Sequence, residues 1–203
     1  MSTPAELPLL GSSAAPKERA DAARNRLKVL AAAAELFSAR GVAAVSMDDV
    51  AAAAGVGKGT LYRRFGDRSG LAAALLDERE SQLQAAMLSG PPPLGPGAPA
   101  VERLAAFVAA YLAFLDAHLD VVEMSQTASR GARLRTGSHR LWRQHVALLL
   151  AEAGAPDPDV RAGALLAALT AEQVRHWRHD EHRALLDLTA ALIGMARAAS
   201  GSG

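Results

Sequence analysis

Apolar residues recur at helical spacing along most of this chain. Leu27, Leu30, Ala34 and Phe37 predict a first helix, entered through Arg19, Arg24, Arg26 and Lys28 and closed by Gly41. Met47, Val50, Ala51 and Ala54 predict a second. Ser46 stands just before it with Asp49 three residues later, the pattern of a helix N-terminus. Gly55 follows the last periodic residue, where a left-handed cap needs a residue without Cβ. A third helix carries Leu61 and Phe65 four apart, with Lys58, Thr60, Tyr62, Arg63 and Arg64 on its other face. It is too short and too polar to be a core element, so its small apolar side docks on neighbours and leaves a basic, hydroxyl-rich face outward. Helix, glycine-containing turn and helix with a presented polar face form a helix-turn-helix, whose second helix enters the major groove of DNA.

Asp67 is placed to cap the next helix. Arg68 then falls in its first turn, where a cation opposes the helix dipole, and a phosphate would supply the reason for it. Leu71, Leu75 and Leu83 carry this helix to about Leu88. Residues 89–99, S-G-P-P-P-L-G-P-G-A-P, predict a surface loop, mobile or polyproline-like. From Ala100 to Leu119, Val101, Leu104, Val108, Tyr111 and Leu115 form an apolar stripe, with Phe107 and Phe114 a second edge, so this helix is buried on more than one side. Residues 120–137 read as a broken helix and a loop, with Met124 and a solvated run of Arg130, Arg133 and Arg135. Helices over 138–153, about 158–178 and about 181–199 complete the chain. The last two are apolar over most of their circumference. They are either simply core or the place where surplus apolar surface meets a partner.

Composition narrows the picture. Of 203 residues half are apolar, enough for a sizeable core, and abundant alanine favours helix. There is no cysteine, which removes disulfides and cysteine-based zinc or nucleophile chemistry. No uninterrupted apolar run reaches the ~18 residues of a membrane span, and no signal peptide is evident. Residues 1–18 read as a disordered arm. Residues 1–70 hold ten basic against seven acidic side chains, and residues 71–203 hold twelve against fourteen. A mildly basic first third fits a small DNA-binding domain on a larger body.

The segment G-V-G-K-G-T-L-Y-R-R-F-G-D-R, after Ser46-Met47-Asp48-Asp49-Val50-Ala51, resembles the recognition segment of the TetR family of one-component bacterial regulators. The resemblance covers roughly residues 20–75. It implies an all-α fold: a three-helix DNA-binding domain at 19–66, then a helical ligand-binding and dimerisation domain at 67–203. It further implies a cytoplasmic homodimeric repressor that releases palindromic operator DNA when a small molecule binds the body. The two recognition helices must then sit about 34–36 Å apart, or a multiple of that. The DNA-binding set is Ser46, Lys58, Gly59, Thr60, Tyr62, Arg63, Arg64 and Arg68. Lys58, Tyr62, Arg64 and Arg68 are phosphate candidates. Gly59, Thr60 and Arg63 lie nearer the base edges. Arg63-Arg64 departs from common members, where one aromatic or histidine is frequent. The last two helices would pair with their symmetry mates through Ala164, Ala167, Ala168, Leu185, Leu188 and Leu192.

For the effector, the large partly polar residues of the body are Phe107, Tyr111, Phe114, His118, Met124, Trp142, His145 and Trp177. Aromatics with a few polar groups suit a small, largely apolar, neutral or weakly charged molecule, though each is also an ordinary core residue. Enzyme signatures are missing: no phosphate loop, nucleophile elbow or dinucleotide fingerprint occurs. His176, His179 and His182 have a spacing compatible with a metal, but they straddle a predicted helix boundary, and histidines at a helix end also suit its dipole. No metal or cofactor is assigned. The rivals are a small-molecule carrier with a vestigial helix-turn-helix and an enzyme built on a helical bundle.

Overall fold

A computed structural model describes residues 16–126 and 137–201, and all regular structure among them is helical. The order is α1 (Pro16–Arg40), a single 3-10 turn (Val42–Ala44), α2 (Met47–Ala54), α3 (Lys58–Phe65), α4 (Arg68–Ser89), α5 (Ala100–Gln126), α6 (Gly137–Glu152), α7 (Pro158–Ala168), α8 (Ala171–Arg175) and α9 (Leu185–Ala199). Residues 1–15 of the expected N-terminal arm, the Arg19 side chain and Arg130, Arg133 and Arg135 lie outside the described residues, while residues 16–18 of that arm open α1 instead.

Two apolar clusters organise the chain. The first joins Val29, Leu30, Ala33 and Phe37 of α1 to Val42, Val45, Met47, Val50, Ala51 and Leu61, closed by Leu71, Ala72 and Leu75 of α4. Leu27, expected on this face, is half exposed at 50%. The face of α1 is set by Val29, Leu30, Ala33 and Phe37 instead. The second cluster is the body, centred on α5 and α6. The two are keyed together: Leu76 packs against both, and Val121 of α5 is buried in the first.

The expected stops are present. Ser46 Oγ accepts from the Asp49 N–H at 3.1 Å and Asp49 Oδ2 accepts from the Ser46 N–H at 2.9 Å, a reciprocal capping box. These bonds from Ser46 hold the Asp49 carboxyl below its ordinary pKa. Gly55 closes α2 in the left-handed region, at φ 65°. Asp67 Oδ1 accepts from the Gly70 N–H at 2.8 Å and starts α4.

Four expectations need correction. The proline-rich segment is a compact turn with Leu94 packed on the body, not an extended strand of polyproline. Helix α5 runs on to Gln126 through a kink at His118 (φ −130°, ψ 20°). Its stretch Ala100–Met124 is, by length and composition, apolar enough to cross a membrane, although interspersed charges kept any uninterrupted run short. In the fold it is the central helix, packed by α4, α6, α8 and α9. The helix expected over 158–178 breaks after Ala168, because Thr170 Oγ1 accepts from the Gln173 N–H at 3.0 Å and caps a new helix. That helix widens into a π-turn over His176–Asp180, and α9 starts at Leu185 rather than 181.

Phe107, Tyr111 and Phe114 stack along α5 with ring centroids 5.5 and 5.9 Å apart, and Trp142 of α6 lies 6.0 and 5.6 Å from the first two. His145 packs 5.7 Å from Phe107, and its buried Nε2 has no hydrogen-bond partner among the described residues. Burial, with a smaller push from Arg103, lowers its pKa to about 4. A histidine in the unfolded chain titrates near ~6.5. Between those values the unfolded chain takes up a proton that the native state refuses, so stability is full above pH ~6.5 and falls as pH falls toward 4. Denaturant unfolding should lose on the order of 2 kcal/mol across that window, and His145→Leu should remove much of the slope. An acid limb of equal depth in both proteins would assign it to other groups.

Candidate nucleic-acid interface

Helix α3 is held by very little. Leu61 is its one buried side chain, with Phe65 half-buried beside it. Lys58, Gly59, Thr60, Tyr62, Arg63 and Arg64 are all exposed. Gly57 caps the helix without any side-chain hydrogen bond, so the positive end of its dipole stays open to an anion.

The structure brings the sequence-predicted set together on this helix and its flanks but divides it by what each side chain already holds. Lys58 Nζ bonds the Asp48 carboxylate across the α2–α3 turn, which raises the ammonium's pKa. Arg64 Nη1 donates to the Ala22 carbonyl at 3.0 Å and ties α3 to α1. Arg68 Nη1 donates to the Ala43 carbonyl at 2.8 Å and the Val45 carbonyl at 3.4 Å. This corrects the reason given for Arg68: the carbonyls of the 3-10 turn, not only a phosphate, account for a cation in the first turn of α4. Ser46 sits at the edge with its hydroxyl in the capping box. Arg63 makes no hydrogen bond or ion pair with any described residue, and Tyr62 is 47% exposed. Of the basic residues on α1, Arg26 is an internal brace, 2.7 Å from Glu78 and 3.6 Å from Asp77 of α4.

Gly59 is unusual. A Cβ built on it meets nothing within 4 Å, so nothing in the fold requires glycine there. Glycine inside a helix costs roughly 0.5–1 kcal/mol against alanine.

The proposed effector residues do not line an opening. Phe107, Tyr111, Trp142 and His145 are packed in the body core, and Phe114, His118 and Trp177 are partly buried against it. The expected aromatic pocket is filled by its own rings. A cavity of about 660 Å³ lies instead where α1 and α4 meet the kink of α5 and the π-turn, and of the expected set only His118 reaches it. Its polar wall includes Arg79, which sequence reasoning missed: no local pattern marks it. Among the histidines, both ring nitrogens of His176 are taken by Asp180 and Glu181, at 2.9 and 3.2 Å, which raises its pKa. No group of three or more ligating side chains among the described residues is placed to hold a metal.

The expected dimer set divides too. Leu188 and Leu192 are buried in the chain's own core, and Ala168 and Leu185 pack against it. These four do not form an outer face: Leu185, Leu188 and Leu192 lie on the side of α9 that covers α5, and Ala168 of α7 packs against the same core. Ala164 and Ala167 are exposed. Val160 of α7 is 72% exposed, and Leu186 and Met195 of α9 are 79% and 42% exposed.

Residues 29–75 match the family described as bacterial regulatory proteins, tetR family. A 53-residue segment is 45% identical to HTH-type transcriptional regulators of Staphylococcus aureus, covering 26% of this chain and 29% of each relative's length. Across most of the chain, solved structures are similar in fold. A TetR-family transcriptional regulator from Pectobacterium atrosepticum aligns with a TM-score of 0.68 at 24% identity, over 89% of this chain and 96% of that one. A TetR-like transcriptional regulator from Rhodococcus sp. RHA1 aligns with a TM-score of 0.59 at 26% identity, over 87% and 96%.

The different attachments of Arg63 and Arg68 have a measurable consequence for stability. Arg68→Ala removes charge-assisted bonds to two carbonyls and should cost about 1–2 kcal/mol in denaturant unfolding. Arg63→Ala should stay within about 0.5 kcal/mol of wild type. Equal losses would mean that Arg68 does not brace the turn.

Proposed function

We propose that this chain, which belongs to the TetR family of bacterial regulatory proteins, is a cytoplasmic, homodimeric transcriptional regulator that represses by occupying a palindromic operator. It releases the DNA when a small, largely apolar effector binds the helical body. The observation that carries the reading is the outer face of α3. It gathers Lys58, Thr60, Tyr62, Arg63 and Arg64 around a glycine that destabilises the helix and serves no contact inside the chain. A close-approaching surface explains that glycine. In this reading Gly59 lets the helix backbone approach the groove, Thr60 touches a thymine methyl and Arg63 reads a guanine. Lys58, Tyr62 and Arg64 meet phosphates, Ser46 flanks them, and Arg68 chiefly holds the frame while its remaining N–H groups face outward.

Dimerisation is inferred from the outer faces of α7 and α9. Val160, Ala164 and Ala167 on one helix, and Leu186, Ala190 and Gly194 on the other, leave apolar and small residues exposed. Small residues let two helix pairs approach closely, and exposed apolar area of this kind gains free energy on being covered. The last helices thus face both ways, inward through Leu188 and Leu192 and outward through this stripe.

Gly59→Ala should stabilise the fold by about 0.5–1 kcal/mol yet weaken binding to operator DNA from the region flanking the gene, followed by fluorescence anisotropy. Arg63→Ala should relax preference at one base pair by ~1–3 kcal/mol. If both variants bind flanking and random DNA as wild type does, the regulator reading fails in favour of a carrier with a vestigial helix-turn-helix.

Sedimentation tests the assembly. Leu186→Glu or Ala164→Glu places an unpaired charge in the inferred interface, at a cost of several kcal/mol, and should give folded monomers. A wild-type monomer at micromolar concentration would overturn the dimer.

A further inference from the structure

We propose that the cavity where α1 and α4 meet the kink of α5 binds a small organic carboxylate with an apolar tail, held by Arg79. As an effector site this rests on the regulator reading; as a binding site it does not. The cavity, about 660 Å³, has walls from two chemistries. Phe37, Val42, Leu75 and Leu119 give it an apolar side, and Arg79, His118 and His179 stand with acidic and basic neighbours on the other.

The charges sort themselves. Arg175 is shared by Asp120 and Glu123, and Arg178 holds Asp116 at 2.8 Å. Arg79 alone among the cationic residues lining the cavity has no carboxylate within ion-pair distance among the described residues. Its Nη1 donates to Gln82 Oε1 at 3.0 Å, while its Nε is buried without a partner. The donors left over are Nη2 and the covered Nε; a turn of the side chain presents them to the cavity as a parallel pair that matches the two oxygens of a carboxylate. A buried guanidinium N–H without an acceptor is costly, and a bound carboxylate supplies the acceptor. One unpaired cation beside Asp116 and Asp120 suits a monoanion and disfavours a phosphate dianion. His118 lies alongside: burial, then the charge of Arg79, lowers its pKa, so it stands neutral and keeps an N–H to offer the second oxygen. The apolar side takes the tail. The expectation of a neutral or weakly charged effector came from a charge-free aromatic stripe, and this cavity has a cation in its wall.

The test compares three probes with one tail and different heads, octanoate, octanol and octylammonium, by titration calorimetry on the full chain without DNA. Failure here would therefore leave DNA binding untouched, and loss of DNA binding would leave this result standing. Octanoate should bind about tenfold more tightly than octanol or octylammonium. Arg79→Met should erase that preference while leaving the weak binding of octanol. Arg79→Lys, which keeps the charge but loses the fork, should weaken octanoate severalfold and covers the case in which the Met variant fails to fold by circular dichroism. The His118 ring signals, assigned with His118→Gln, should move on adding octanoate. No preference for the carboxylate, a preference that survives both Arg79 variants, or unmoved His118 signals would each overturn the site.

Discussion

Leu61 is the only side chain of α3 that the fold buries fully, and the rest of the molecule's first third is arranged around that shortage. A fully buried leucine supplies roughly 1.5–3 kcal/mol, too little to fix a helix of eight residues in one orientation. The helix cannot bury more without losing the face it presents. Its orientation is therefore set by polar ties that leave the face open. Lys58 reaches Asp48, Arg64 reaches the Ala22 carbonyl, and Arg68 reaches the carbonyls of Ala43 in the 3-10 turn and Val45 just after it. Each uses one end of a long cationic side chain as a strut and keeps further N–H groups available. Exposed ion pairs contribute little individually. Their value here is geometric, because the ties from Lys58 and Arg64 run in different directions and Arg68 fixes the start of the next helix, which together limit a rotation that Leu61 leaves free.

The first cluster was legible because its signals are local. A capping serine with an acid three residues on, a glycine at the left-handed cap and a capping aspartate each act within one turn of chain, and Ser46, Gly55 and Asp67 stand where those rules put them. The struts were not legible. Arg64–Ala22 and Arg26–Glu78 span 42 and 52 residues, and no spacing rule reaches that far. The break after Ala168 was a different kind of miss. Thr170 followed by Gln173 carries half of a capping box, a local signal overridden in the sequence reading by the surrounding run of alanine and leucine. The body's aromatics were recognised as a group, but periodicity marks a buried face without saying whether rings or a ligand fill it. Phe107, Tyr111 and Trp142 fill it with one another.

The apolar stripe of the last two helices shows the same limit more sharply. The core reading holds on one side of α9, and the opposite side is small, apolar and exposed. Leu188, Leu192 and Ala196 repeat every four residues and cover α5, while Leu186, Ala190 and Gly194 repeat every four residues on the opposite side and are exposed. A helix apolar all round satisfies two neighbours, and only the packing of α5 decides which residues turn inward.

The kink at His118 connects these parts physically. Residues before it stack in the aromatic column, ending with Phe114 5.3 Å from the His118 ring, edge to face. Residues after it cross into the other cluster, where Val121 is buried among side chains of α1 and α4. Asp116 and Asp120 flank the kink and are held by Arg178 and Arg175 of the last third of the chain. A helix clamped on both sides of a bend moves by changing the bend, since packed side chains shift between discrete arrangements rather than deforming continuously. Val121 and Leu76 thus join the column and the cavity beside it to α1 and α4, the helices against which α3 sits.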